Sequence, residues 1–366
     1  MLQFLKDSGM KKTKRREPFP SNIILHFFYS LAEQTVSRPI LGISIFFIWI
    51  PAALYGCSLV EQELPGGSET TVRFLNEAGN TIGEVRDIDL LIFNDDRLQK
   101  LDTYQKVSPA SCSTVKAASG SGEKIMTAIA NGQRDRFEWA DINSRKGLDR
   151  ITATLEKEDR NHLLMSGECR CRAGGRANLS LQRLCSEICL RSISCDFKGR
   201  PYEGLELENV RVYLTNVNAE ASVISEQPYH PVRIINAGAL NESDATHFMD
   251  RSMIIQEIDG RIDSNVRNLN ISLLCYPNEA EEEGPGTPFT KLVIEGRTGG
   301  ETYYWPLEIN RKDGASGISR NSRYIYDVRI RRLGQYDPDT TADPRSIDIM
   351  TEVKAWEERE EYGVRF

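Results

Sequence analysis

The feature that most constrains this chain is how its apolar residues are parcelled out after residue 69. They fall in short runs: TTVRFL (70–75), IDLLIF (88–93), KIMTAIA (124–130), VRVYLTNV (210–217), NISLLCY (270–276), KLVIE (291–295), TYYWPLEI (302–309), YIYDVRIRRL (324–333) and IDIMTEVKAW (347–356). Turn formers separate them, such as Asn94-Asp95-Asp96, Asn131-Gly132 and the Pro/Gly-rich stretch 277–288. Runs this short, rich in β-branched and aromatic residues, are strands, and many of them with little helix make β-sandwiches. Helical spacing is confined to 141–159, where Ile142, Leu148, Ile151 and Leu155 follow Asp141 as a cap. The Ser/Ala/Gly-rich stretch 107–122 reads as loop, and 177–195 as a long strand or a strand pair. Gly199, Pro201 and Gly204 break the pattern next. The expected organisation is therefore mainly β: a presequence over 1–56, a tether over 57–68, one sandwich domain over 69–198 and a second over 199–366.

The presequence carries its own signal. An apolar segment of sixteen residues, Ile40 to Tyr55, runs into Leu54-Tyr55-Gly56-Cys57, behind a basic flank of Lys6, Lys11, Lys12, Lys14, Arg15, Arg16 and Arg38. An apolar residue, two spacers with Gly at the scissile bond, and then Cys is the pattern of a bacterial lipoprotein box. The run is shorter than the roughly 20 residues of a permanent bilayer span, as signal-peptide hydrophobic regions are. Cleavage would leave Cys57 as the acylated first residue, each buried methylene contributing about 0.8 kcal/mol to membrane attachment. A transmembrane anchor or a core helix is the alternative reading of the same run, although the basic flank fits export. The presequence is long, and a second apolar run (Ile23 to Leu31) precedes the box. Either translation starts downstream of Met1 or the signal is atypical. The stretch 57–68 (CSLVEQELPGGS) is polar and reads as a flexible tether.

Charge narrows the function classes. Residues 57–366 carry 39 basic against 50 acidic side chains, a net charge of −11. That balance argues against nucleic acid as a partner, since phosphate binding draws on a basic face. Beyond Cys57 there are Cys112, Cys169, Cys171, Cys185, Cys189, Cys195 and Cys275. Export permits disulfides, but an odd number leaves at least one thiol free or shared with another chain. No metal site is expected, because the cluster lacks CxxC pairs and His162 has no partner at ligand spacing. The acidic run 279–283 lacks the alternating carboxylates of a Ca²⁺ loop and reads as a solvated hairpin tip. No cofactor is expected: HExxH, G-x-S-x-G and Walker patterns are absent from the sequence, and Gly120–Lys124 lacks a strand-loop-helix setting. The chain does not read as an enzyme.

The order of segments resembles the FimA-like fimbrillins of Bacteroidales, the lipoprotein pilins of type V fimbriae. The resemblance rests on LLIFN (90–94), IAN (129–131), LLMSG (163–167), LQRLCSEICLRSI (181–193), YLTNV (213–217), YYWPLEIN (303–310), ISRNSRYIYDV (318–328) with Leu333-Gly334, and VKAW (353–356). It spans the whole body of the chain, and the ordering carries it more than any one motif. It implies two tandem transthyretin-like β-sandwich domains, export to the outer membrane surface, and assembly with other fimbrial subunits by donor-strand exchange. In such pilins an arginine-directed protease clips the loop after the first strand. A strand of the next subunit then fills the groove, its backbone pairing giving affinity and its alternate side chains giving register.

Carried onto this chain, the first strand is about 70–75, and the arginine in the following loop is Arg86, before Asp87. Arg73 lies inside the strand and is a weaker candidate; an ordinary surface charge is the plain reading of Arg86. The donor candidate is Tyr362, Val364 and Phe366, which alternate beyond Trp356, while 347–356 reads as the last strand of the second sandwich. An anchor or tip subunit of the same kind of fimbria is the second reading. A glycan-binding surface lipoprotein is the third, and Trp139, Trp305 and Trp356, scattered among strands, read as core or sandwich-edge residues rather than as its platform.

Overall fold

The computed structural model describes residues 67–356 apart from 83–84, 109–112, 134–136, 138, 226, 312–314 and 316. The expected lipidation site Cys57 and the donor candidates Tyr362, Val364 and Phe366 lie outside the described residues, as do the presequence and Cys112.

The first half contributes β1 (Ser68–Leu75), β2 (Ile88–Asn94), β3 (Leu101–Val107), β4 (Thr114–Ser119), β5 (Glu123–Ala130), a one-turn helix α1 (Arg145–Leu148), β6 (Thr152–Thr154), β7 (Met165–Arg172), β8 (Arg176–Ser180), β9 (Gln182–Arg183) and β10 (Ser186–Cys195). The second half adds β11 (Glu208–Thr215), β12 (Val217–Asn218), β13 (Glu220–Ser222), β14 (Ile234–Ile235), α2 (Glu242–Ala245), β15 (Ile255–Ile258), β16 (Arg267–Cys275), β17 (Lys291–Thr298), β18 (Glu301–Glu308), β19 (Ser322–Ile330) and β20 (Ile347–Ala355). The chain is mainly β, as its sequence pattern requires.

Two sandwiches result. In the first, the sheet β3-β2-β5-β7-β9 faces the sheet β4-β1-β8. Leu90, Ile92, Met126 and Ala128 from one layer meet Val72, Phe74, Ala117 and Leu179 from the other in a single buried cluster. In the second, β16-β10-β19-β20 faces β15-β11-β17-β18, with Ile188, Leu273, Tyr324 and Val328 packed against Val212, Leu292, Ile294 and the fully buried Trp305. The strand IDLLIF lacks alternation because both of its faces are covered. Leu90 and Ile92 point into the first core, whereas Leu91 and Phe93 join Ile125, Ile129, Leu155 and Leu164 in the cluster that continues into the second sandwich.

Three placements differ from what local pattern suggests. β4 sits inside the stretch read as loop; of its side chains only Ala117 and Ser119 are buried, so backbone pairing to β1 makes it a strand without an apolar signature. The segment 177–195 resolves into β8, β9 and β10. β10 pairs antiparallel with β16 and parallel with β19, so a strand lying before the Gly199–Gly204 break is built into a sheet whose other members follow it. The helical reading of 141–159 reduces to α1 and single 3₁₀ turns around β6.

Candidate assembly site

β1 is the middle strand of its sheet. It runs antiparallel to β4, with Val72 opposite Val115 and Arg73 opposite Thr114, and parallel to β8, with Val72 beside Ala177 and Phe74 beside Leu179. Its alternation is complete: Thr70, Val72 and Phe74 have no exposed surface, while Glu69 and Arg73 face solvent. Glu69 accepts from Lys116 Nζ at 2.7 Å on that outer face. Burying Val72 and Phe74 contributes about 1.5–3 kcal/mol each. If β1 were withdrawn, β4 and β8 would face one another across a strand-wide slot floored by the first core. Unpaired N–H and C=O groups would line both sides, a costly state that another strand relieves.

The segment joining β1 to β2 is fastened at both of its ends. Asn76 starts a tight turn, its Oδ1 accepting from Asn80 N at 2.8 Å and its carbonyl from Gly79 N at 3.0 Å. Ile82 and Val85 are buried in the first core. At the expected cleavage position, Arg86 N–H donates to Asn131 Oδ1 at 2.8 Å, and Asn131 N–H donates to the carbonyl of Asp87 at 3.0 Å. Asn131 can clamp both sides of the Arg86–Asp87 bond because it adopts φ +56°, a left-handed conformation that Asn tolerates well. Its Nδ2 donates in turn to Leu163 O at 3.0 Å. The Arg86 guanidinium is half-exposed and pairs with Asp159 at 3.4 Å, whereas the Asp87 side chain is buried, with Lys106 Nζ at 3.8 Å. Arg86 thus offers a protease an accessible side chain on a backbone that must open first. Arg73 has strands on both sides and offers no loop.

Beneath Arg86 lies a polar node. Glu158 is fully buried; it accepts from Tyr276 OH at 2.6 Å and from Leu164 N–H at 2.9 Å, and Gln133 Nε2 is 3.5 Å away. Burial pushes its carboxyl up to about 7, and these hydrogen bonds with the nearby Arg86 charge only partly oppose that. The node joins the segment between β6 and β7 to Tyr276 at the end of β16. Sequence reading missed it, because a Glu in a run of charges (Glu156 to Arg160) looks solvated.

At the other end of the described residues, β20 is an edge strand of its sheet there, paired among them only with β19. Ile347 is buried, but Met350 is 68% and Val353 51% exposed. It ends at Trp356, whose N–H donates to Asn321 O at 2.7 Å and whose ring stacks under the Arg183 guanidinium at 5.1 Å. Among the described residues the cysteines do not gather into a functional cluster. Cys169, Cys171, Cys185, Cys189, Cys195 and Cys275 are free thiols on strands or strand ends, and burial pushes Cys169, Cys189, Cys195 and Cys275 up to about 12, which leaves them unreactive. Among the described residues no group of His, Cys, Asp and Glu is placed to hold a metal ion.

No family model matches the chain, and neither does any curated protein. Solved structures do. A fimbrilin (FimA) from Porphyromonas gingivalis superposes with a TM-score of 0.57 at 12% identity, covering 79% of this chain and 98% of its own. The fold is that of the FimA-like fimbrillins. Two candidate cell adhesion proteins share it: one from Bacteroides eggerthii, with a TM-score of 0.56, 14% identity and coverage of 80% of this chain and 96% of that one, and one from Parabacteroides distasonis, with 0.57, 14%, 79% and 96%. At such identities the fimbrillin fold is preserved by the burial pattern of its strands rather than by particular residues.

Proposed function

We propose that this chain is a structural subunit of a cell-surface fimbrium, exported as a lipoprotein tethered to the outer membrane through Cys57 and assembled by protease-triggered donor-strand exchange. The observation that carries the reading is the place of β1: first of the described strands, central in its sheet, and followed by a loop that ends in an accessible arginine. Hydrolysis of the Arg86–Asp87 bond would leave β1 held by noncovalent contacts alone. Its departure would open a slot that a strand bearing Tyr362, Val364 and Phe366 from another subunit fills. The fimbrilin and cell-adhesion descriptions of the fold's neighbours support the fimbrial assignment. On this reading the protein works as a building block, with other subunits and the membrane as its partners.

One observation favours a second reading. The clamp by Asn131 on both sides of the Arg86–Asp87 bond suits a subunit that keeps β1 and its lipid, as an anchor does. Treating protein purified from cells with a trypsin-like protease separates the two. A shaft subunit begins at Asp87 afterwards and forms ladders on a gel; an anchor keeps an acylated Cys57, labelled by palmitate, and forms none. Retention of a glycan with neither behaviour would defeat both.

A further inference from the structure

The segment Glu361–Phe366 reads E-Y-G-V-R-F, and residues Glu69–Phe74 within β1 read E-T-T-V-R-F. Glu, Val, Arg and Phe recur at the same spacing. Val-Arg pairs are common in this chain, at Val210-Arg211 and Val328-Arg329 for instance, but Phe follows the pair only in these two segments. The structure gives each shared residue a job in β1: Val72 and Phe74 fill the first core, Glu69 pairs with Lys116, and Arg73 faces solvent between Thr114 and Asn178.

We infer that Glu361–Phe366 is a copy of the strand it replaces, and that it enters the emptied β1 slot of a second copy of this chain in the same polarity and register. Val364 then takes the place of Val72, Phe366 that of Phe74, Glu361 meets Lys116, and Arg365 lies across from Thr114. This rests on the strand-exchange reading above and adds to it the partner, the polarity and the register. A one-residue slip would turn Val364 and Phe366 outward and bury Arg365, so period-2 alternation forbids the neighbouring registers. Tyr362 is the one poor substitute. It falls on Thr70, whose hydroxyl accepts from Gly174 N–H at 3.0 Å, and a phenol ring there needs room that Thr does not.

Reach decides between the chain's own slot and a neighbour's. Trp356 is held to Asn321, and Asn321 Nδ2 donates to Glu77 at 2.5 Å, so the segment departs from the Leu75 end of β1. Glu361 must arrive at the opposite end, about 20 Å away along six strand residues. The five residues from Trp356 to Glu361 extend to about 18 Å at most, with none left to reverse direction. A second copy has no such restriction.

The test uses the purified chain after the protease has removed the segment before Asp87. A synthetic peptide of residues 357–366 should block ladder formation and bind the clipped protein. Peptides carrying Val364→Asp or Phe366→Asp should bind at least about tenfold more weakly, since each buries an unpaired charge, and Tyr362→Thr should bind as well or better. In the full chain, Arg365→Cys with Thr114→Cys should give disulfide-linked ladders beyond the parent's non-reducing pattern, and Arg365→Cys with Lys116→Cys, two residues out of register, should not. Ladders that form regardless of peptide and of Val364→Asp would overturn this inference while leaving strand exchange in place. Cross-linking through Lys116→Cys instead would overturn the register. Clean removal of β1 without any ladder would overturn both.

Discussion

β1 and β20 are both long, alternating strands at opposite ends of the described chain, yet they occupy opposite kinds of place. β1 lies between two partners with three side chains wholly buried; β20 lies at a sheet edge with one partner and most of its side chains in water. Removing β20 would move the edge of its sheet inward by one strand. Removing β1 leaves a gap between two strands that cannot close without rebuilding the sheet. A strand's position in its sheet, rather than its hydrophobicity, is what makes its loss a vacancy that can recruit another chain.

That contrast can be broken or sharpened by mutation. The largest effect belongs to β1: Phe74→Ala should lower unfolding stability by about 3–5 kcal/mol in denaturant titration, the usual cost of emptying a core aromatic site. A loss under 1 kcal/mol would mean that β1 is not integral to the first core. Next comes the joint below Arg86. Because the folded state raises the Glu158 carboxyl above its usual value of about 4.5 to about 7, the folded protein binds the extra proton in that window. Its contribution is most favourable below pH 4.5 and declines as pH rises toward 7. Glu158→Gln should therefore gain on the parent by about 3 kcal/mol between pH 4.5 and pH 8. Parallel stability profiles for the two proteins would remove the buried charge from the account.

Asn131→Ala takes away the side-chain acceptor for Arg86 N–H and the bond to Leu163 O, and places Ala at positive φ. It should cost about 1–3 kcal/mol and speed tryptic cleavage after Arg86; an unchanged rate would show that the clamp does not guard that bond. The smallest effect is expected on β20. Met350→Lys or Val353→Thr should shift stability by no more than about 0.5 kcal/mol, and a loss comparable to that of Phe74→Ala would erase the distinction between the strands.

Much of the fold was legible because side-chain alternation is local. TTVRFL, KIMTAIA, TYYWPLEI and IDLLIF each announce a strand, while the burial of both faces of the last came only with the fold. β4 was not legible: TVKAAS has almost no apolar face, and its state follows from pairing with β1 some forty residues earlier. Nor could Glu158 be picked from its charged neighbours, since only folding brings Tyr276 and the Leu164 amide to it. Arg86 was legible as a loop arginine, but the Asn131 clamp on its backbone was not.

By itself, then, the sequence determined that this is a chain of short strands in two apolar cores, with a lipoprotein-type leader expected ahead of it and a β1-like segment at 361–366. Tertiary structure alone decided that β1 is central and β20 peripheral, that β10 joins strands beyond the Gly199–Gly204 break, and that the Arg86–Asp87 bond is fastened. The division has a physical cause. Which face of a strand is buried is written every second residue, whereas which strand lies beside it is settled by backbone hydrogen bonds that every residue but proline can make, and that therefore leave no mark in the sequence.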